Sequence, residues 1–532
     1  MADKKMARPT EPISKKRVLS AILMLACNLL FFLTIWLANK YDDVSIDQFL
    51  FQMKSSAAGA NRSLMNSAYV RVGVFSVVAT LLEVLGFLLI SGRWKGRLQD
   101  ERYARLVGSR ACRFFTRHVL PIVLCLLVIS TAFFVIELDV PAYVKAITTE
   151  SDFIRVHYVD PNQTTLTFPQ KKRNLIYIFL ESMETTFADS QAGGPITENY
   201  IPELTRLAQE NISFTNTADI GGALSFEGTT WTAAAMVAQT CGMPVKVPLN
   251  ADNYGGEDAF LPGVVSIGEV LEAQGYNQTL LVGSDAAFAG RDSYFTEHGN
   301  YNIVDINSLK AEGRLPEDYR VWWGFEDLKL FDFAKEEITK LAEAGEPFNF
   351  TMLTCDTHFP NGYLCEACEE KYDSQYANVL ACSSKQVYSF ISWIQQQPFY
   401  ADTAIVISGD HLTMDPDFFK DMDENYVRTV YNCIINSAVP AKKTQKRQFG
   451  TFDLFPTTLA AMGVQIDGEQ LGLGINLFSG KKTLTEQYGY DFLDNELQKK
   501  SEYYNRHFLG MDTREVRDAD TAQSDTKQQA AG

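Results

Sequence analysis

Basic charge is scarce over most of this sequence. Its 532 residues include 48 Lys and Arg against 65 Asp and Glu. Residues 1–118 hold 18 of the basic and 8 of the acidic residues, which leaves 30 against 57 for the rest. Nucleic-acid phosphates are bound through Lys and Arg, so so acidic a surface excludes nucleic acid as a partner. No internal repeat recurs along the chain. No small-residue cleavage site follows the first apolar run, and that run is too long for a secretory signal, so it is expected to remain as an anchor. Cysteine is limited to nine residues. Cys365 and Cys368 have no second close pair, which disfavours a four-cysteine zinc site.

Three long apolar runs are present, Val18–Ala38, Val72–Ile90 and Val119–Leu138, beneath an overall mean hydropathy of only −0.10. Each is near the ~20 residues a helix needs to cross a bilayer. Lys4, Lys5, Arg8, Lys15, Lys16 and Arg17 precede the first run. Arg93, Lys95, Arg97, Arg102, Arg105, Arg110, Arg113 and Arg117 lie between the second and third. The segment after the first run is instead marked by Asp42, Asp43 and Asp47. The positive-inside rule then puts the N-terminus and the second loop in the cytoplasm and everything after Leu138 outside. A multi-pass protein of the cell membrane is expected, with a large extracytoplasmic part. Glu83, inside the second run, marks either a polar site between helices or nothing more.

The domains expected are a membrane part over 1–140 with three spans, a connecting arm over 141–171, a catalytic domain over 172–510, and a disordered tail over 511–532. The arm is punctuated by Pro141, Pro161 and Pro169. From Arg173 onward, short apolar runs alternate with helical patterns. Asn174–Leu180, Thr279–Val282, Phe348–Leu353 and Thr403–Ile407 read as buried strands, with Glu203–Gln209 and Leu328–Ala344 among the helices. Continuous apolar strands alternating with helices predict an α/β fold with a mainly parallel sheet. Six cysteines lie outside, where disulfides form, and Cys365, Cys368 and Cys382 are near enough in sequence for a local bridge.

Ligands of open α/β sheets bind beyond the carboxyl ends of the strands. Those ends carry Glu181-Ser182, then Gly283-Ser284-Asp285 with Arg291 beyond, then Asp356-Thr357-His358, then Ser408-Gly409-Asp410-His411. Glu181, Asp410 and His411 offer the hard oxygens and imidazole that suit Mg²⁺, Mn²⁺ or Zn²⁺. Taken alone, an Asp-His pair is as well explained by a hydrogen-bonded turn. Phe226–Thr232 precedes a small-residue helix over Ala233–Gln239, so Thr229 is the candidate nucleophile at a helix N-terminus. Its hydroxyl needs a metal or base to lower its pKa. The competing reading is that Thr229 only caps the helix.

These segments, in order, resemble the alkaline-phosphatase/sulfatase superfamily, and within it the phosphoglycerol transferases: lipoteichoic acid synthases and the enzymes that decorate periplasmic glucans (membrane-derived oligosaccharides). The resemblance spans about residues 172–480. It rests on the run from Asn174 to Ser182, Gly228-Thr229-Thr230-Trp231-Thr232, Cys241-Gly242-Met243-Pro244 and the run from Gly283 to Arg291. Trp323 to Asp327, Asp356-Thr357-His358-Phe359-Pro360, Ser408 to His411, Asp453-Leu454-Phe455-Pro456 and Leu471 to Phe478 complete it. The Gly-Thr-x-Trp-Thr and Asp-Thr-His-x-Pro forms are nearer to the periplasmic-glucan branch. The resemblance implies a sulfatase-like sheet behind the transmembrane helices. It also implies transfer of glycerophosphate from phosphatidylglycerol to a glycan or polyglycerophosphate acceptor through a covalent phospho-threonine.

By the same resemblance, Glu181, Thr229, Asp410 and His411 take the metal-site positions, Thr229 is the nucleophile, and Arg291 and His358 contact the head group. The expected cofactor is Mn²⁺ or Mg²⁺, with Zn²⁺ as a further candidate. Two positions depart from the lipoteichoic acid synthase pattern: Ala289 replaces a tryptophan and Val282 a histidine. A sulfatase activity is disfavoured, because Cys241-Gly242-Met243-Pro244-Val245 has the wrong spacing and no arginine for the sulfatase nucleophile motif. A phosphoethanolamine transferase with the same chemistry, and an inactive head-group-binding protein, are the alternatives.

Overall fold

The computed structural model describes residues 15–511 apart from 42–44, 57, 92–100, 250, 252–253, 255–258, 416–417, 420–421 and 424. The tail expected beyond Met511 lies outside the described residues, as do Lys4, Lys5, Arg8, Arg93, Lys95 and Arg97. The chain divides into two compact units, residues 1–42 with 61–141, and 43–60 with 142–532.

The first unit contains three helices long and apolar enough to cross a membrane: α1 (Lys15–Lys40), α3 (Arg62–Ile90) and α4 (Val119–Glu137). Between α1 and α3 in sequence lies the short helix α2 (Ile46–Lys54), which belongs to the second unit. The helix α1 packs against both α3 and α4. The carboxylate of Glu83 has a partner invisible to sequence spacing: Asn28 Nδ2 donates to it at 3.0 Å and to Thr80 Oγ1 at 3.0 Å.

The second unit is built on a six-stranded sheet. Its strands are β1 (Asn174–Leu180), β2 (Asn277–Val282), β3 (Asn302–Val304), β4 (Phe348–Leu353), β5 (Thr403–Gly409) and β6 (Asn432–Ile435), in the spatial order β3-β2-β4-β1-β5-β6. All pairings are parallel except β5 with β6. The central strand β1 reads Asn-Leu-Ile-Tyr-Ile-Phe-Leu, and its side chains from Leu175 onward are buried, as expected of a strand covered on both faces. Helices α5 (Pro202–Glu210), α6 (Thr232–Cys241), α7 (Arg291–Glu297), α8 (Asp327–Glu343) and α9 (Gln375–Gln395) connect and flank the strands.

Two outcomes differ from the expected division. Residues 141–171 are more than a linker. They include the helices Val140–Thr148 and Phe153–His157, in which Phe153 and Ile154 are buried, and the strand Leu166–Thr167, which pairs with Gln465–Ile466. Residues 43–60, counted by sequence with the membrane part, pack within the second unit.

Candidate active site

The site begins with two parallel neighbours. Leu180, at the end of β1, pairs with Gly409, at the end of β5, so the next residues, Glu181 and Asp410-His411, emerge side by side. The Asp410 N–H donates to Leu180 O at 3.0 Å. Gly409 has no alternative here, because a Cβ would stand 1.9 Å from Met183 O. Ser182 takes the left-handed φ of 53°, and its N–H donates to Asp410 Oδ1 at 2.7 Å. The His411 N–H donates to the same oxygen at 2.7 Å. Backbone strain at Ser182 is thus held in place by the carboxylate it orients.

Three ligand atoms, one each from Glu181, Asp410 and His411, lie within 4.8 Å of one another, and all three residues are buried. His411 Nε2 is 3.7 Å from Glu181 Oε1 and 3.5 Å from Asp410 Oδ2. His411 Nδ1 lies 2.7 Å from Leu412 O, which can only accept, so Nδ1 carries a proton and Nε2 faces the acids. Asp410 Oδ2 is buried with no hydrogen-bond partner among the described residues. Burial raises the pKa of Asp410, and the charge of Glu181 raises it further. Burial also acts to raise Glu181, but His358 and His411 outweigh it and hold that carboxyl below its ordinary value. For His411, burial lowers the pKa, yet Asp410 and Glu181 bring it above the usual histidine value. Two buried acids, an orphaned oxygen and an outward imidazole nitrogen fit a divalent cation.

Arg291 and His358 both feel the charge of Glu181. Arg291 opens α7 and is buried, donating to Ser284 Oγ at 2.9 Å, Asp285 O at 2.9 Å and Phe288 O at 3.1 Å. His358 has Nδ1 2.6 Å from Phe359 O and its ring 4.6 Å from that of Trp323. Burial pulls His358 below its ordinary pKa, with Glu181 opposing.

Thr229 is not brought to this group. It is fully buried, and its hydroxyl donates to Phe226 O at 2.8 Å and accepts from Phe226 N at 3.0 Å. A hydroxyl engaged with backbone as both donor and acceptor serves a turn, so the expectation of Thr229 as nucleophile and ligand is corrected. The hydroxyl that does lie at this group is that of Thr232. Its Oγ1 lies 3.3 Å from Glu181 Oε2 and 3.3 Å from His411 Nε2. The helix begins at Thr232, with Trp231 as its cap, so the hydroxyl at the helix start is three residues later than the sequence reading placed it. Asp327 also escaped sequence reasoning as anything beyond a motif letter. Its carboxylate accepts from Cys355 N at 2.7 Å and Asp356 N at 3.1 Å, fixing the turn that presents His358.

A family model described as Sulfatase matches residues 173–464. The chain belongs to the sulfatase family. Among curated relatives, it is 31% identical over 331 residues to phosphoglycerol transferase I of Shigella flexneri, covering 61% of this chain and 41% of that one. The protein of the same name from Salmonella choleraesuis is 32% identical over 333 residues, with the same coverage. The chain therefore spans less than half the length of these relatives.

Solved structures similar to this chain include the lipoteichoic acid synthase LtaP from Listeria monocytogenes, at 19% identity and a TM-score of 0.47, covering 62% of this chain and 80% of that one. The integral membrane lipooligosaccharide phosphoethanolamine transferase EptA from Neisseria meningitidis is 14% identical with a TM-score of 0.47, covering 84% of each chain. Family membership shows the fold but does not specify the transferred group. In this sulfatase-family domain Cys241 is at the far end of α6 from Thr232, about 13 Å along the helix, buried, with its thiol pushed up to about 12 by burial.

Proposed function

We propose that this chain transfers glycerophosphate from phosphatidylglycerol to an extracytoplasmic glycan or polyglycerophosphate acceptor, with Thr232 as the nucleophile. The observation that carries this reading is the Thr232 hydroxyl standing between Glu181 and His411 beside the orphaned oxygen of Asp410. Glu181, Asp410, His411 and Thr232 would hold a divalent ion, Mn²⁺ or Mg²⁺ with Zn²⁺ as the further candidate. Such an ion, when bound, neutralises the acids, lowers the hydroxyl pKa and polarises a phosphoryl oxygen.

The residues do the rest. Thr232 Oγ1 attacks phosphorus, the bond to the diacylglycerol oxygen breaks, and glycerophosphoryl-Thr232 remains. Glu181 accepts the threonine hydrogen bond and so orients the attacking lone pair. Arg291 offsets the charge that builds on the phosphoryl oxygens. His358 has Nδ1 committed to Phe359 O, so its Nε2 accepts: the proton leaving Thr232 passes through it to the departing diacylglycerol oxygen, and the acceptor hydroxyl's proton later passes the same way to Thr232 as it leaves. The acceptor oxygen attacks the same phosphorus and frees Thr232. The Cys368–Cys382 disulfide supports the outward orientation expected from the charged loops, since such bonds persist in oxidising compartments.

The test uses the full chain in phosphatidylglycerol vesicles with Mn²⁺. Diacylglycerol release and a glycerophosphate adduct on Thr232, located by fragment mass analysis, are expected. An adduct on Thr229 or Thr230 would overturn the nucleophile. An ethanolamine phosphate adduct, formed only from phosphatidylethanolamine, would overturn the donor. Metal binding with no turnover of either lipid would leave a head-group-binding protein.

A further inference from the structure

The segment between the first two apolar helices reaches the three turns that carry the site. Phe51, on α2, is fully buried, with its ring centroid 5.4 Å from Trp231, 5.5 Å from Tyr254 and 6.2 Å from Phe260. Trp231 is the cap of α6 and the neighbour of Thr232. Tyr254 and Phe260 in turn lie against Gly290, the residue before Arg291. A Cβ there would meet Tyr254 O at 2.5 Å and the Phe260 ring at 2.9 Å. Five residues beyond Phe51, Ser56 O accepts from Ala289 N at 3.0 Å. Ala289 has the left-handed φ of 60°, in the turn that delivers Arg291. Gln48 Nε2 is 3.5 Å from Met414 Sδ, three residues after His411. At the far end of the segment, Gly59 O accepts from Arg320 Nη2 at 3.0 Å.

We infer that residues 46–60 are a working part of the active site, positioning the Thr232 and Arg291 turns through Phe51 and the Ser56 carbonyl. The three site-bearing turns come from separate stretches of the sulfatase-family domain, and this one short segment touches all of them. Phe51 is a positioning residue: it touches Trp231 and fixes where the first turn of α6 begins. The anchor's outer loop therefore sets the geometry of the reaction. The inference rests on the head-group-transfer reading only for what is positioned, because the contacts themselves are independent of it.

The test compares the wild-type full chain with Phe51→Ala, Phe51→Leu and a variant whose residues 46–60 are replaced by a Gly/Ser linker of equal length. Hydrogen exchange of the peptides covering 226–236 and 286–292 gives a readout that needs no turnover. Faster exchange in both peptides is expected for the linker variant, and in the first for Phe51→Ala. Unchanged exchange in all variants would overturn the inference. Turnover is read on phosphatidylglycerol and on the water-soluble diester bis(4-nitrophenyl) phosphate. Phe51→Ala is expected to lose at least about tenfold in kcat on both, with KM little changed and Phe51→Leu recovering most of the loss. Loss confined to the lipid would assign the segment to lipid delivery and overturn the positioning role. A wild-type chain inactive on both substrates, with exchange changed as expected, would sink the transfer reading and leave the positioning inference standing.

Discussion

The acid–imidazole group at the end of the sheet and the three cysteines beyond His358 each gather ligand atoms within 4.8 Å, yet they differ in what holds them. Glu181, Asp410 and His411 leave two paired strands, and backbone N–H groups of Ser182 and His411 fix the central carboxylate. These ligands repel or merely hydrogen-bond one another, so they stay available to a cation. Cys365 and Cys368 lie on a loop and Cys382 on α9. Cys368 and Cys382 are joined, leaving Cys365 Sγ 3.5 Å and 3.9 Å from their sulfurs. Proximity alone makes no metal centre. Ligands that can combine with each other in an oxidising compartment are consumed by doing so.

The sharpest way to break this comparison is at Thr232. Thr232→Ala should lower turnover more than about 10³-fold, the scale expected when a nucleophile is removed. Thr229→Ala should retain turnover while losing about 1–3 kcal/mol of stability for its two buried hydrogen bonds, read by thermal unfolding. Equal losses in the two variants would restore Thr229 to the chemistry.

Asp410→Asn should next abolish stoichiometric metal binding, measured by elemental analysis of the purified full chain, and turnover with it. Reducing the Cys368–Cys382 bridge, or making Cys365→Ser, should leave bound metal unchanged. Reduction should cost about 3 kcal/mol of stability, as for a closed loop of this length. Metal lost on reduction would merge the two groups into one system. Arg291→Ala is expected to lower kcat about 10²-fold without changing metal content, since it removes charge compensation only.

The smallest effect lies in neither group. His298 is buried, with Nδ1 3.1 Å from Glu269 Oε2 and Nε2 2.7 Å from Phe260 O. Burial lowers its pKa, but those two bonds bring it above the ordinary 6.5. A raised folded pKa means that protons bind more tightly to the folded state. The stabilisation is complete below pH 6.5 and disappears as pH rises through the folded value. Unfolding followed between pH 5.5 and 8.5 should show a slope that His298→Gln flattens.

The sequence reading was most successful where geometry is repetitive. Four apolar runs became β1, β2, β4 and β5 because strands buried on both faces need continuous apolar residues, and Glu181 and Asp410-His411 came together because parallel strands end at one edge. The short strands β3 and β6 carried too few residues for a period to register. Thr229 misled because three threonines in four residues each satisfy the rule of a hydroxyl at a helix start. Only the cap at Trp231 decides among them. The role of residues 43–60 was hidden for another reason: Phe51 meets Trp231 across 180 positions, and no local pattern encodes such a contact.

The order of strands in the sheet has a consequence for how the protein comes to life. The central strand β1 is made first, yet its neighbours β4 and β5 arrive late, and Ser182 waits 228 residues for the carboxylate of Asp410. A chain halted before Thr403 holds Glu181 without Asp410 and His411, and a bare strand edge prone to stray pairing. The acid–imidazole group thus assembles only when almost the whole domain has been made.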